Sequence, residues 1–305
     1  MISTLIKHQA RPFLKWAGGK GQLLVQMESY LPKELTTGKI KKYFEPFLGG
    51  GSVFFWLAGK YEFQKAYLYE INQEIGVGYK VIQSNVNKLV KELKDLESAY
   101  LSKSAKARES YYYQNRSEYN SCPIDKIAHQ IRKTALLIFL NKTGYNGLYR
   151  VNSHGNFNVP SGRYKNPTIC DEDNLLAVSE ALQIAEISWG DFSGCLKYAD
   201  ASSFVYFDPP YRPISQTSSF TSYSRNTFDD KEQTRLKTVI DALDKKGSLV
   251  MLSNSDPRNY DPRDNFFDNL YRNYRIRRLK ATRMINCQAE KRGSITEILV
   301  MNYQR

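Results

Sequence analysis

The strongest candidate for catalysis is a four-residue motif after the apolar segment 203–207: Asp208, Pro209, Pro210 and Tyr211. A carboxylate and a neighbouring main-chain carbonyl can accept both N–H groups of an aromatic base amine, whose lone pair is otherwise delocalised into the ring. Accepting both frees that lone pair to attack a methyl group, and proline holds its carbonyl in a stiff backbone. Tyr211 can stack on a base that has been flipped out of a duplex. An ordinary turn is the alternative interpretation, since Asp-Pro is common in turns.

The sequence EPFLGGGS at 45–52 and the acid Glu70 indicate a nucleotide-type ligand. Glycines such as Gly49 and Gly51 let the backbone approach a ligand closely. Glu70 ends the next apolar segment, where a doubly wound fold places a carboxylate on ribose hydroxyls. Each signal is weak alone, because a plain strand-to-helix turn and an exposed loop acid look the same in sequence.

The elements that must position these motifs follow an α/β pattern, in which glycine turns separate apolar strands from amphipathic helices. A third glycine segment, FLKWAGGK at 13–20, precedes a predicted helix over 20–31. It is not a Walker phosphate loop, because the GxxxxGK[ST] spacing is missing. We predict helices at 52–57 and 230–245, and strands at 43–47, 66–69, 182–189, 203–207, 249–253 and 294–303.

The middle of the chain has a different character. Residues 73–140 are charge-rich with helical periodicity, and 141–168 are rich in Gly, Asn, Tyr and Pro, as in an ordered loop or hairpin. We therefore predict an insertion at 75–175 between a first catalytic part at 1–74 and a second at 176–305.

Composition favours a polyanionic partner. The net charge is +13 and the pI about 9.4, and 22 Tyr are interleaved with the basic residues. Charge alone fits nucleic acid or an acidic membrane, but bases stack on aromatic rings, which favours nucleic acid. The four Cys and three His are scattered, so we expect no structural metal and no disulfide framework. With no apolar leader and no run of membrane-spanning length, we expect a cytoplasmic protein of a prokaryote, without a membrane partner.

Taken together, the motifs resemble one family. The chain resembles the adenine-N6 DNA methyltransferases of the Dam type (D12 class), most closely the DpnII- and MboI-type modification methylases. The motifs occur along the chain in the same order as in that family. The matching segments are FLKWAGGK, YFEPFLGGGSVFF, YEIN, NGLYRVN, FNVPSGRYKNP, GDF, FDPPY, FTSY and LSNS. Only the helical part at about 76–135 lacks a recognisable motif.

This resemblance implies the methyl donor and the residues that bind it. It implies a Rossmann-like, mostly parallel seven-stranded methyltransferase sheet with helices on both faces, and S-adenosylmethionine as donor. The residues that match cofactor contacts are Trp16, Lys20, Phe47, Gly49, Gly51, Glu70, Asp191, Phe192 and Asp208. Glu70 stands where many relatives have Asp, so the carboxylate is kept but its reach is one methylene longer.

The resemblance also implies that 144–168 is a hairpin that reads double-stranded DNA within the recognition insertion. Tyr145 matches a wedge that helps to open the duplex. The base-contacting positions match Lys15, Asn146, Leu148, Arg150, Pro160 and Tyr164, although Pro160 and Tyr164 could also merely hold the hairpin. Arginine can grip guanine bidentately, and apolar groups can touch the thymine methyl. Because the hairpin matches GATC-specific relatives, the expected target is adenine N6 within GATC.

Two further expectations concern the second half of the chain. Phe220 and Tyr223 lie in a Ser/Thr-rich loop that we expect to order over the flipped base. A basic set near the C-terminus is expected to clamp DNA phosphates, with a solvated face as the alternative: Arg275, Arg277, Arg278, Lys280, Arg283, Lys291 and Arg292.

Direct methyl transfer without a metal or a covalent enzyme intermediate is therefore expected, and a cognate restriction endonuclease is a plausible functional partner. Three alternatives stay open. Cytosine-N4 methylation uses the same chemistry but often carries Ser at the position of Asp208, an RNA substrate conflicts with the DNA-type hairpin, and a DNA-binding protein without catalysis conflicts with the intact motif.

Overall fold

The computed structural model describes residues 9–16, 20–212, 228–282 and 294–304. By contact density the chain divides into two compact units. The helical unit comprises Met1–Gly19, Gly49–Lys60 and Asn72–Gln183, and the sheet unit comprises Lys20–Leu48, Tyr61–Ile71 and Ile184–Arg305. The predicted recognition insertion at 75–175 lies within the helical unit, and its boundaries stay a prediction.

The strands found among the described residues belong to the sheet unit. They are β1 (Lys42–Glu45), β2 (Lys65–Glu70), β3 (Ala185–Trp189), β4 (Ser203–Phe207), β5 (Leu249–Ser255), β6 (Arg275–Thr282) and β7 (Ser294–Met301). The helices of the described residues are α1 (Leu24–Glu28), α2 (Lys33–Thr36), α3 (Ser52–Ala58), α4 (Gln73–Leu101), α5 (Ala105–Ser121), α6 (Ile127–Thr143), α7 (Glu172–Ala181), α8 (Asp230–Lys245) and α9 (Phe266–Leu270).

One seven-stranded sheet has the order β3-β2-β1-β4-β5-β7-β6. The first five strands in that order pair in parallel, and β7 runs antiparallel to both β5 and β6. This confirms the expected mostly parallel seven-stranded α/β fold. The strand order reverses between β1 and β4, which is where open α/β sheets bind ligands, at the carboxyl ends of their strands.

The parallel strands are near-continuous apolar runs because the sheet is buried. All five residues of β4 are buried, and so are the central residues of β5. Helix α8 contributes Leu236, Val239, Ile240 and Leu243 to the same core cluster as Val250 and Leu252 of β5. Their spacing of three and four residues forms one apolar stripe on a helix.

Side-chain caps define the starts of the helices that matter for the site. In the sheet unit, Asp229 accepts hydrogen bonds from the main-chain N–H groups of Lys231 and Glu232 and so begins α8. In the helical unit, Asn72 does the same for Glu74 and Ile75 at the start of α4. None of the described helices is long and apolar enough to cross a bilayer.

Three local predictions need correction. The predicted strand at 182–189 is shorter, because Leu182–Ile184 forms a 3-10 turn and pairing with β2 begins only at Ala185. The predicted helix at 20–31 is split into a 3-10 turn at Lys20–Gln22 and the short α1. Strand β6 was not predicted, since its alternating Arg and Lys suggested a basic surface and not an edge strand.

The core stripe of α8 gives a stability prediction. Substitution of the fully buried Leu236 with Ala should lower the free energy of unfolding by about 2–5 kcal/mol, because it removes apolar contact and leaves a cavity. Val25, which is 78% exposed, provides the matched control, and Val25→Ala should change stability by less than about 0.5 kcal/mol. Urea unfolding of both variants measures the difference, and equal losses would contradict the assigned core.

Candidate active site

The Asp208–Tyr211 motif begins where β4 ends and is held in place by side chains of the sheet unit. The buried Gln233 of α8 donates to the carbonyl of Pro210 over 3.4 Å. Directly after the motif, Arg212 pairs with Asp230 at 2.5 Å and with Asp264 at 2.6 Å. These contacts fix the C-terminal end of the motif, and its first residue follows the buried strand β4 directly, as a catalytic group with demanding geometry requires.

Within the described parts of the chain, the carboxylate of Asp208 is hydrogen-bonded through its Oδ1. Its Oδ1 lies 2.9 Å from Nζ of Lys20 and accepts a hydrogen bond from Oγ of Ser253 over 3.1 Å. Among the described residues, no group donates to its Oδ2 or to the main-chain carbonyl of Pro209. These are the two acceptors that the sequence predicted for a base amine.

Lys20 is the charge centre of this site. Its side chain is 2% exposed, and its ammonium reaches Asp208 Oδ1 at 2.9 Å, the hydroxyl of Tyr211 at 2.6 Å and Oε2 of Glu297 at 3.0 Å. Burial lowers the pKa of Lys20, but Asp208 and its other neighbours outweigh burial and hold that pKa well above its usual range. Lys20 is therefore a permanent cation with all three of its N–H groups used.

The pKa of Asp208 moves in the other direction from that of an ordinary ion-paired acid. Burial raises the pKa of Asp208, and the opposing effect of Lys20 only partly offsets it. The result is a carboxylate of enhanced basicity, which is a stronger hydrogen-bond acceptor once it is ionised.

A buried hydroxyl chain orients the carboxylate. The hydroxyl of Tyr206, in β4, lies 2.7 Å from Oγ of Ser253, in β5. Ser253 has a single proton, which it donates to Asp208. Tyr206 must then donate to Ser253, and burial keeps it able to do so by raising the pKa of Tyr206 well above its usual value.

Four phenylalanines of the sheet unit form an aromatic group near the start of the glycine turn. The ring centroid of Phe47 lies 5.3 Å from that of Phe192, 5.6 Å from that of Phe228 and 6.3 Å from that of Phe207. Phe192 is buried and Phe47 is half-buried. The structure therefore brings together two residues that the sequence assigned to the cofactor.

Asp191, which the resemblance assigns to the cofactor, has a strong protein partner. The guanidinium of Arg235 binds both of its carboxylate oxygens, at 2.8 and 2.7 Å, and lies 4.0 Å above the ring of Phe192. The hydrogen bonds from Arg235 hold the pKa of Asp191 well below its usual range. Arg235 is a residue that the sequence analysis missed, because nothing in the pattern of α8 marks it.

Glu70 stands where it was predicted, at the carboxyl end of β2. It pairs in register with Trp189, the last residue of β3, and is 6% exposed. The next residue, Ile71, is 65% exposed, and Trp189 is 60% exposed. A buried acid thus lies beside exposed apolar side chains at the strand ends, a combination that suits a ribose with an attached base.

In the helical unit, Trp16 packs against the glycine turn. Gly49 has a φ of +48°, and a Cβ there would lie 2.8 Å from Nε1 of Trp16, so this close approach requires glycine. The indole also stacks with Tyr149, at 5.7 Å between ring centroids. Gly51 is the N-cap residue of α3.

Within the predicted hairpin at 144–168, two antiparallel bridges join the chain, Gly144–Ser161 and Val151–Phe157. Its base is closed by a hydrogen bond from the N–H of Tyr145 to the carbonyl of Pro160, at 2.9 Å. Of the six residues of 144–168 that were assigned to DNA, four are exposed and two are half-buried: Tyr145, Asn146, Arg150 and Pro160, then Leu148 and Tyr164. Their exposure leaves them accessible to a ligand.

Lys15 is held against this hairpin by Asn141, a buried residue of α6. The amide of Asn141 accepts from the N–H of Lys15 at 2.7 Å and donates to the carbonyls of Lys15 and Gly147 at 3.0 and 2.8 Å. The ammonium of Lys15 lies 4.9 Å from the ring centroid of Tyr164. At the turn, Asn146 and Gly147 both have positive φ, and a Cβ on Gly147 would collide with the Lys15 side chain.

The remaining predicted residues are only partly described. Phe220 and Tyr223, and Arg283, Lys291 and Arg292 of the basic set, lie outside the described residues. Arg278 pairs with Asp256 and Asp268, both at 2.8 Å, so its charge is already used within the sheet unit. Arg277 and Lys280 are exposed on β6. Among the described residues, no group of His, Cys, Asp and Glu side chains is arranged to hold a metal ion.

Sequence reasoning missed Tyr206, Glu297 and the role of Ser253, and it assigned Lys20 to the cofactor alone. One signal was available for Glu297, a lone acid within the apolar segment SITEILVM, since charged residues are almost never buried unless paired. No local pattern could have identified Lys20 as its partner.

Comparison with known proteins identifies the family of this chain. The model of the family described as D12 class N6 adenine-specific DNA methyltransferase matches residues 16–285. Type II methyltransferase M.MjaIII of Methanocaldococcus jannaschii is 50% identical over 296 residues, covering 97% of this chain and 100% of that protein.

Two other relatives extend the comparison. Type II methyltransferase M1.LlaDCHI of Lactococcus lactis is 39% identical and covers 97% of both chains. The DNA adenine methylase of Escherichia coli is 32% identical and covers 95% of both chains. The chain therefore belongs to the D12 class of N6 adenine-specific DNA methyltransferases.

Proposed function

We propose that this adenine-specific DNA methyltransferase modifies N6 of adenine within GATC, with Asp208 and Pro209 as the acceptors of the amine. The observation that supports this most directly is the pair of acceptors at the end of β4. Within the described part of the chain, Asp208 Oδ2 and the Pro209 carbonyl have no donor of their own, and Tyr211 follows them with its side chain 39% exposed.

Membership of the family implies S-adenosylmethionine, which supplies a methyl group on a positively charged sulfur. The amine's two N–H groups would be accepted by Asp208 Oδ2 and by the Pro209 carbonyl while the ring stacks on Tyr211. As the new N–CH3 bond forms and the S–CH3 bond breaks, the nitrogen must lose one proton. We assign this proton to Asp208 Oδ2, because burial raises the pKa of this carboxyl.

The residues present fit such a donor by their chemistry. In the sheet unit, Phe47 and Phe192 offer aromatic faces and Glu70 offers a carboxylate at a strand end, which suit a base and ribose hydroxyls respectively. Arg235 binds both carboxylate oxygens of Asp191. A contact between Asp191 and the adenine of the donor would therefore have to be made alongside these hydrogen bonds. Trp16, Gly49 and Gly51 are assigned to the donor by the resemblance.

The hairpin of the helical unit supports base-specific reading. Arg150 is exposed, and Asn158 holds its guanidinium through Nε at 2.7 Å and Nη2 at 3.1 Å. An arginine oriented in this way suits bidentate recognition of guanine, and Leu148 and Pro160 suit the thymine methyl. Tyr145, 55% exposed at the start of the turn, is proposed as the wedge that helps to extrude the adenine.

The GATC site and a role in restriction–modification are the finer parts of the proposal. GATC is supported by the likeness of the 144–168 segment to GATC-specific methylases. Two of the relatives are named type II methyltransferases, which supports a protective role beside a cognate endonuclease.

The first test concerns the amine acceptor. Asp208→Ala should lower kcat by at least about 100-fold, because it removes a preorganised acceptor from the transition state, and should leave affinity for duplex DNA largely unchanged. Asp200→Ala is the matched control, since Asp200 precedes the opposite end of the same strand and pairs with Lys42 at 2.5 Å. Turnover of methyl groups and fluorescence anisotropy of labelled DNA measure the two effects; an active Asp208→Ala enzyme would refute the mechanism.

The second test concerns the target sequence. Plasmid DNA methylated by the purified enzyme should resist a nuclease that is blocked by methylated GATC, and it should become sensitive to one that requires the methylated site. An RNA hairpin with the same sequence should remain unmodified. Methylation of adenines outside GATC at comparable rates would contradict the assigned site.

A third test asks whether Asn141 fixes the residues that read bases. Asn141→Ala removes the hydrogen bonds to Lys15 and Gly147. We expect the ratio of kcat/KM for GATC to that for sites with one changed base pair to fall about tenfold, because one well-oriented contact contributes about 1–3 kcal/mol of discrimination.

Asn174→Ala provides the control for this test. Asn174 makes the same pair of hydrogen bonds to the backbone N–H and carbonyl of Arg11, at 2.9 and 3.1 Å. Its substitution therefore removes a similar clamp elsewhere in the helical unit. It should lower the melting temperature as Asn141→Ala does and leave the specificity ratio unchanged. Equal loss of specificity in both variants would show that Asn141 acts through stability alone.

A further inference from the structure

Glu297 is a half-buried carboxylate that the proposed mechanism does not use. It lies in β7, opposite Ser255 of β5 and Leu279 of β6, and its side chain is 12% exposed. Its Oε2 lies 3.0 Å from the ammonium of Lys20. Because burying a second carboxylate in the same site costs free energy, its presence calls for a reason.

The contacts of Lys20 suggest that reason. Its three N–H groups reach three acceptors, of which two are carboxylates and one is the hydroxyl of Tyr211. If Asp208 were the only carboxylate, the full charge of the ammonium would fall on it and weaken it as an acceptor for another donor. A second carboxylate divides that charge.

We propose that Glu297 is a positioning residue that takes up part of the charge of Lys20 and so keeps Asp208 a strong acceptor for the base amine. The inference rests on the proposed function, in which Asp208 accepts an N–H of that amine. Glu297 acts through Lys20 and touches neither the base nor the methyl donor in this scheme.

The electrostatics of the site agree with this role. After burial, the largest effect on the pKa of Asp208 is the lowering by Lys20, and the charge of Glu297 raises that pKa again. Glu297 also raises the pKa of Lys20. Six titratable or hydrogen-bonding groups in the part of the chain that the structure describes interact with Asp208: Lys20, Tyr43, Tyr206, Tyr211, Ser253 and Glu297.

Glu297 and Asp208 come from different parts of the sheet and meet only through Lys20. Strand β7 is separated from β4 by β5, so Glu297 and Asp208 do not follow each other on neighbouring strands. Lys20, from the segment before α1, joins them with contacts of 2.9 and 3.0 Å. The two carboxylates therefore share one cation.

The test is Glu297→Gln, which keeps the shape of the side chain and removes its charge. We expect kcat to fall about tenfold, equivalent to about 1.4 kcal/mol, with little change in KM for DNA or for the methyl donor. The acidic limb of the pH–rate profile should move to lower pH, because Asp208 loses the neighbouring charge that raises its pKa. Glu297→Asp restores the charge and should return the acidic limb toward its position in the wild type.

Glu186→Gln is the matched control. Glu186 lies in β3 and forms an exposed ion pair with Lys65 at 3.4 Å, so the same chemical change removes a glutamate–lysine pair of the same sheet outside the site. Its kcat and pH profile should match those of the wild type. Because Glu297→Asp keeps the charge, it supports or opposes the proposal even if Glu297→Gln folds poorly.

The outcomes separate this inference from the proposed function. If Asp208→Ala is inactive while Glu297→Gln has the kcat and acidic limb of the wild type, only the role of Glu297 is overturned. If Asp208→Ala remains active, the proposed mechanism is overturned together with this inference. A fall in kcat with an unmoved acidic limb in Glu297→Gln, and no recovery in Glu297→Asp, assigns Glu297 a packing role and overturns the proposal.

Discussion

The site depends on one buried ammonium. Lys20 is 2% exposed, and removing a charge from water costs several kcal/mol unless every one of its hydrogen bonds is replaced. Asp208, Tyr211 and Glu297 replace all three. Because these residues come from separate parts of the chain, the glycine segment, the end of β4 and strand β7 must be in place together for the ammonium to be tolerated.

The sheet topology explains how they meet. Parallel strands end at a common edge, so Asp208 after β4 and Ser253 near the end of β5 lie side by side, and their hydrogen bond follows. The antiparallel β7 enters the sheet from the other direction, so Glu297 occupies its early part, opposite Ser255. If β7 ran parallel to β5, a residue at this edge of the sheet would lie at the end of the strand and not in its early part.

These features set the limits of prediction from sequence. The strand–motif unit at 203–211 and helix α8 were predicted well, because apolar runs, prolines and helical periodicity are local signals. The partners of Lys20 were not, since a glutamate within an apolar strand carries no sign of which cation it meets. Strand β6 was missed because Arg277, Arg278 and Lys280 obscure the alternation of apolar and polar side chains that predicts a strand.

The segment Lys15–Trp16 shows how two proposed roles can depend on one short stretch of backbone. Asn141 fixes the N–H and carbonyl of Lys15, while Gly49 and Tyr149 enclose the indole of Trp16. Because the planar peptide bond leaves only two soft dihedrals per residue, a shift in the backbone of one residue displaces its neighbour. A substitution that shifts the indole should therefore disturb the lysine too, and base reading and donor binding should be coupled at this segment even where no side chain contacts both ligands.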